Sequence, residues 1–313
     1  MGFGLVYDRP FMWMQPRSKS VAVDFAPRVA AAPDTRAPRL APVPVSAETA
    51  VLAGFLELSW APLVRRMQRG EGALLAVNAT WVAFAWPGWG PAAFLVALST
   101  AVLMAAYALN DWHDAEGDLR DPKKHRALVL GLIARRRPFG LWLAGLHVAL
   151  VVVAAVAQDL ATAAAVATML GINALYSWRL KGVPLADLAV VGLWGAAFVA
   201  IVGAPVWLCA AVGLMTSIMH LFQIQQDRPV DAANHIETTV VRLPGAALVV
   251  LTTICAALAV ILLPHLGPLG ALSAAVPLAL RVGVQDNGRA WMACRVYCGL
   301  ALLAALGALR GVG

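Results

Sequence analysis

The sequence predicts an all-helical integral membrane protein: nine transmembrane helices around a central cavity, preceded by a disordered N-terminal tail. Three observations predict it. The chain is 61% hydrophobic and only 13% charged, where a soluble domain carries about a quarter charged residues. Its apolar residues fall in runs close to the ~20 residues that an α-helix needs to cross a bilayer. Its Lys and Arg are confined to alternate connections between those runs, the distribution that orients multi-pass proteins. A net charge of +7, spread in this way and without interleaved aromatic and basic residues, argues against nucleic acid as a partner and for membrane lipid.

Residues 1–45 hold seven prolines among Ala and Arg and no apolar run long enough for a signal-peptide core. They read as a disordered, basic, cytoplasmic tail, with a mis-assigned start codon as the alternative. The membrane domain, 46–313, opens with an amphipathic or interfacial helix over 46–70 that ends in Arg65, Arg66 and Arg69. Apolar spans follow over 71–88, 91–113, 138–157, 159–179, 184–203, 205–226, 243–264, 266–283 and 289–309. The connections after the first, third, fifth and seventh spans are tight and carry no Lys or Arg: Pro87-Gly88-Trp89-Gly90-Pro91, Gln158-Asp159, Gly203-Ala204-Pro205 and Pro264-His265. The tail and the other connections hold 22 of the 24 Lys and Arg, Arg295 and Arg310 being the exceptions. The positive-inside rule makes that side cytoplasmic, in a bacterial-type cell membrane. Cys209, Cys255, Cys294 and Cys298 all fall inside spans, have no metal-ligand spacing, and read as packing residues.

Two acidic stripes carry the chemistry. Asn110, Asp114 and Asp118 recur at i, i+4 and i+8 as the second span ends, so a continuing helix gathers them on one face. His220, Gln223, Asp227 and Asp231 recur at helical spacing as the sixth span ends. Carboxylates at a membrane helix mouth are costly to desolvate and rarely idle, and two of them one turn apart repel unless a cation intervenes. Mg²⁺ suits them, as a hard cation that takes few carboxylates and shares its shell with phosphate oxygens. In a chain with only 17 acidic residues, two Asp-x-x-x-Asp pairs in equivalent positions weigh more than either alone, and both face the cytoplasm. Such pairs flanked by Lys and Arg suit a Mg²⁺-bound diphosphate, whose remaining oxygens the basic groups bind. An apolar chamber alongside suits a lipid tail. Together these parts describe ionisation of an allylic isoprenoid diphosphate, with the cation kept from water. Asp111, His113 and Glu116 lie on other faces of the first stripe, and Asp187 beside Pro184 reads as a helix N-terminal carboxylate.

These residues resemble the UbiA superfamily of intramembrane prenyltransferases. Asn110, Asp114 and Asp118 match its first signature, and Asp227 and Asp231 its second, followed by Thr238 and Thr239. Asp121-Pro122-Lys123-Lys124-His125-Arg126 is similar to its basic stretch, and Tyr176-Ser177-Trp178-Arg179-Leu180-Lys181, with Pro184 and Asp187, to its Tyr-Ser-x-x-Leu-Lys element. The resemblance covers roughly 60–310 and implies the family's nine-helix fold. It implies Mg²⁺ on Asp114, Asp118, Asp227 and Asp231, which act with Lys181 in catalysis. It further implies substrate binding by Asn110, Arg126, Tyr176, His220 and Gln223. The donor is then a prenyl diphosphate, and the acceptor a small lipophilic molecule, aromatic or a quinone precursor. Four positions depart from the pattern: His220 and His235 stand where the family often has Asn and Gly, Ala127 replaces the Pro after its arginine, and Pro229 is expected to disturb the helix between the later carboxylates. Other readings stay open: a sugar-phosphate acceptor, because the Lys-Lys-His-Arg loop is so basic; a terpene cyclase, which needs the same ionisation and no acceptor; a catalytically inactive scaffold; and a transporter, whose polar groups would sit on broken helices near mid-bilayer.

Overall fold

The computed structural model of the chain describes residues 48–68, 72–119, 125–233 and 236–310. The tail expected over 1–45, the stretch Arg120–Lys124 and His235 lie outside the described residues. Among the described residues every regular element is a helix. Helix α1 (Glu48–Gln68) ends on Arg65 and Arg66, which complement the carbonyl end of its dipole. Helix α2 (Ala73–Ala85) stops at Trp86, which is left-handed at φ 39°, just before Pro87, a residue that cannot continue a helix. Helix α3 (Trp89–Asp118) is 30 residues long and carries the second apolar run and the whole first acidic stripe without a break. A short α4 (Arg126–Ala134) leads into α5 (Arg136–Ala157). Asp159 then caps α6 (Leu160–Leu175), its carboxylate accepting the Thr162 N–H at 2.6 Å. That bond holds the Asp159 carboxyl below its ordinary range.

Helix α6 runs on into a single π-helical turn, Tyr176–Leu180. Helix α7 (Ala186–Ala200) and α8 (Val206–Ala233) follow, then α9 (Thr239–Arg242), α10 (Ala247–Ser273), α11 (Val276–Gly283) and α12 (Asn287–Arg310). Among the described residues five stretches are long and apolar enough to cross a membrane: Trp89–Asp118, Arg136–Ala157, Leu160–Leu180, Val206–Ala232 and Pro244–Gly283. Helices α2 and α7 are apolar but have 13 and 15 residues, short of the ~20 that spanning requires. The expected nine crossings are thus met only in part: tight turns cut two apolar runs short, the spans expected over 243–264 and 266–283 fall in one stretch, and α12 is not among the five. The turn expected at Pro264-His265 lies further on, where Gly267 adopts φ 66° within the stretch Ala247–Ser273. Pro229, expected to disturb α8, sits inside that helix. The Gln225 carbonyl, which a residue with an N–H at 229 would have bonded, is approached by Asn287 Nδ2 at 3.5 Å.

Helix α8 is the centre of the bundle. Its apolar stretch is 67% buried, against 22% for α5 and 28% for the Pro244–Gly283 stretch, so the latter two turn much of their surface outward. Phe198, Met169, Leu208 and Ile218 are fully enclosed around it. Helices α7 and α8 touch backbone to backbone: a Cβ on Gly213 would come within 2.8 Å of the Gly192 carbonyl, and one on Gly195 within 2.4 Å of Thr216 Oγ1. Small residues are what permits such approach where lipid removes the hydrophobic drive between helices. Polar glue assists them, with Ser217 donating to the Leu188 carbonyl at 3.0 Å and buried Asn78 donating to Ser99 at 3.0 Å and to the Phe198 carbonyl at 2.9 Å. A separate apolar cluster of Leu58, Val129, Leu132, Phe139 and Leu143 packs α1, α4 and α5 about Ala108 and Ala115 of α3, bringing these elements to its acid-bearing end.

Candidate active site

The first acidic stripe is fixed by α6. Asn173 Nδ2 donates to the Ala106 carbonyl of α3 at 2.9 Å, and one turn on Ser177 Oγ donates to Asn110 Oδ1 at 3.4 Å. The π turn follows at once. The Lys181 N–H bonds the Tyr176 carbonyl five residues back, at 2.8 Å, so the wider turn sets Lys181 nearly under Tyr176, where an α-helical step of five would splay them apart. Lys181 Nζ then donates to Asp114 Oδ2 at 2.5 Å, while Asp114 Oδ1 lies 3.4 Å from His113 Nδ1.

Tyr176 meets the second stripe. Its hydroxyl is 3.5 Å from His220 Nε2, and the two rings pack edge to face with centroids 6.0 Å apart. Gln223 lies beside His220. Asp231 is within electrostatic reach of Asp227, Lys181 and Asp187, and the Tyr176 phenol is within reach of Asp114, Asp231, Asp187 and Arg66. Lys181 therefore touches one acidic helix and acts through space on the other, and charge acts far in a poorly solvated site.

The segments after the two functional elements are tied together. Asp187, fully buried at the start of α7, accepts the Thr239 N–H at 2.9 Å, the Leu188 N–H at 2.8 Å and the Thr239 hydroxyl. Thr239 Oγ1 accepts the Leu185 N–H at 2.7 Å. Gly182, at φ 86°, lies so close to the other segment that a Cβ would come within 3.2 Å of Ile236 Cγ2 and 3.3 Å of the Glu237 nitrogen. The Thr238 hydroxyl is buried beside the Asp231 carboxyl, short of full hydrogen-bonding geometry.

Other sequence-predicted positions fall elsewhere. Arg126 opens α4 as an exposed residue with no ion pair among the described residues. Asp118 and Asp227 are half-buried near the ends of α3 and α8. Arg179 lies over the exposed Trp178 ring, 5.1 Å from its centroid. Asp111, on a different face from Asp114, binds Arg65 at 3.1 Å and Arg66 at 3.3 Å, and the Arg66 guanidinium stands 4.4 Å over the Tyr107 ring. Among the described residues no three carboxylate, imidazole or thiol groups converge tightly enough to enclose an ion alone. That donor set fits a cation that accepts one or two carboxylates and completes its shell with phosphate oxygens and water, as Mg²⁺ does.

Residues 73–295 match the UbiA prenyltransferase family. The chain belongs to this family. The UbiA match opens at α2 and closes within α12, leaving α1 with its Arg65 and Arg66 outside it. Solved structures share the fold. A UbiA homolog from Archaeoglobus fulgidus bound to DMAPP and Mg²⁺ superposes with a TM-score of 0.62 at 16% identity, over 82% of this chain and 99% of that one. The same homolog bound to GPP and Mg²⁺ gives 0.59 at 16% identity, over 82% and 99%. A structure of digeranylgeranylglyceryl phosphate synthase gives 0.63 at 15% identity, over 83% and 99%. A search of curated proteins by sequence finds no match. The apolar helices and the UbiA membership together make this an integral membrane protein of the prenyltransferase class.

Sequence reasoning missed two features of this UbiA-type site. A π turn adds one residue that hydrophobic periodicity does not register. The Arg65–Asp111–Arg66 cluster joins residues 45 and 46 positions apart, a separation without local pattern.

Proposed function

We propose that this protein transfers a prenyl group from an isoprenoid diphosphate to a small lipophilic acceptor, aromatic or a quinone precursor, in a Mg²⁺-dependent reaction at the cytoplasmic face of the membrane. The observation that carries the reading is Lys181 hydrogen-bonded to Asp114 of α3 and within electrostatic reach of Asp231 of α8. One cation flanked by two acidic helices, with an apolar bundle behind it, suits a diphosphate headgroup joined to a hydrocarbon tail. Asp114, Asp118, Asp227 and Asp231 would hold Mg²⁺, which when bound supplies positive charge to the leaving diphosphate. Lys181 binds non-bridging oxygens of the same group by charge-assisted hydrogen bonds and stabilises the charge that grows there as the carbon–oxygen bond breaks. Asn110 and Gln223, flanking the acids, orient the headgroup. The faces of Tyr176 and His220 shield the allylic cation from water. Attack by the acceptor forms the new bond, and its displaced proton leaves to the departing diphosphate. Arg126, exposed at the start of α4, makes no ion pair with these acids among the described residues and is left free to meet a phosphate.

The test is to incubate the purified protein in detergent with Mg²⁺, labelled geranyl, farnesyl and geranylgeranyl diphosphates, and a membrane-free metabolite extract. A labelled prenylated product that needs Mg²⁺ and disappears in Asp114→Ala supports the reading and names donor and acceptor together. A cyclic hydrocarbon or free prenyl alcohol would replace it with the cyclase. Folded protein that consumes none of the three donors overturns it.

A further inference from the structure

We infer that Asp187 and Thr239 are positioning residues: they latch the loop that carries Lys181 to the loop that follows the second acidic pair, and so set the distance between Lys181 and the α8 carboxylates. The inference deepens the reading of the site as a diphosphate site and rests on it.

Four observations carry it. First, the two loops joined are those directly attached to the functional elements. Residues 181–187 continue from the π turn, and residues 236–239 follow α8 and Asp231. A shift between them is a shift of Lys181 relative to Asp231. Second, the hydroxyl of Thr239 is used fully, donating to Asp187 and accepting the Leu185 N–H. With the Thr239 N–H also on Asp187, three bonds cross one small junction, away from water. Third, Leu185 is one of two described non-glycine residues with positive φ, at 67°. Backbone in that region persists only where its surroundings over-determine it, and its bond to Thr239 is what holds it. A Cβ at Gly182, at φ 86°, would come within 3.2 Å of Ile236 and 3.3 Å of Glu237, so the loop lies close against its partner. Fourth, the charge of Asp187 is answered by backbone and hydroxyl donors and by the N-terminus of α7, with no ion pair among the described residues. This leaves Lys181 to the acids of the site.

The same contacts serve any compact fold, so the experiment must separate positioning from stability. Thr239→Val keeps shape and removes both hydroxyl bonds, and Thr239→Ser keeps the hydroxyl. Leu185→Gly relaxes the left-handed residue, half-exposed at 48%, and slackens the loop without removing a donor. The full chain in detergent is titrated with geranyl thiodiphosphate, an unreactive analogue, in the presence of Mg²⁺, and amide exchange is followed over 182–186. The latch requires that Thr239→Val weaken binding by about tenfold or more and speed exchange in the loop, and that Thr239→Ser restore both. It requires that Leu185→Gly weaken binding by about threefold or more with the melting temperature unchanged or raised. Wild-type affinity in Leu185→Gly overturns it, as does Thr239→Val with wild-type affinity. Should Thr239→Val fail to fold, Leu185→Gly alone decides. Asp114→Ala serves as the reference. If the wild type binds the analogue and Asp114→Ala does not, but the loop variants bind normally, the latch alone falls. If the wild type binds nothing, the functional reading falls and the latch with it.

Discussion

Asp114 and Lys181 lie 67 positions apart in the sequence and 2.5 Å apart in the fold, and the pair sets what single substitutions should do. Lys181→Met keeps most of the apolar stem and loses the ammonium. It is expected to lower kcat/KM for the prenyl diphosphate by about 10²–10³-fold, the usual cost of one preorganised donor at a developing anion. Steady-state rates against donor concentration check this, and a variant near wild-type rates would remove Lys181 from the site. Asp111→Asn tests a different role. It leaves Arg65 and Arg66, which are 24% and 23% exposed, without their carboxylate. The expected loss is about 1–2 kcal/mol, less than for fully buried pairs because water reaches both guanidinium groups. Thermal unfolding in detergent reads it. At this scale the sequence was half legible. Spacing along one helix put Asn110, Asp114 and Asp118 on a stripe, since helical geometry is local. Which cation answered them was not legible from spacing, because Lys181 arrives from another helix. The resemblance supplied it.

At the scale of elements, the π turn is where a pattern-based reading and the structure part. Periodicity placed a span over 159–179 and gave its end no special form. The structure inserts one wide turn over Tyr176–Leu180. Inserting an alanine after Trp178, whose side chain is largely exposed, adds a residue to a turn that already holds one extra, and should rotate Lys181 by about 100° relative to Tyr176. Prenyl transfer should be lost while membrane insertion and yield hold; retained activity would mean that the turn does not aim Lys181. The α7–α8 contact yields a stability prediction. Gly213→Ala drives a Cβ against a backbone carbonyl, which cannot swing away as a side chain would, and should cost about 1–3 kcal/mol, seen as a lower melting temperature. Apolar length was a sound guide to where helices form and a weaker guide to how far they run, because Pro87 and Gly203 end runs that composition alone would extend.

For the whole molecule, the all-helical class and the membrane setting were legible from composition, since burying this much apolar surface leaves few other solutions. The arrangement of helices was not, because contacts such as Asn78 with Ser99 and Phe198 depend on which faces meet. Orientation stands as a prediction drawn from basic residues. With a single cysteine introduced into a thiol-free variant, Gln158→Cys in intact cells should react with an impermeant maleimide, and Arg179→Cys should react only after the membrane is opened. The reverse pattern would put the acids on the outer face.

The glycine seam between α7 and α8 bears on traffic as well as on stability. With the Gly192 and Gly213 backbones in contact, the two helices behave as one welded plank, and parting them would strip packing that no lipid tail restores. A hydrocarbon entering from the bilayer would have to pass between helices other than these two.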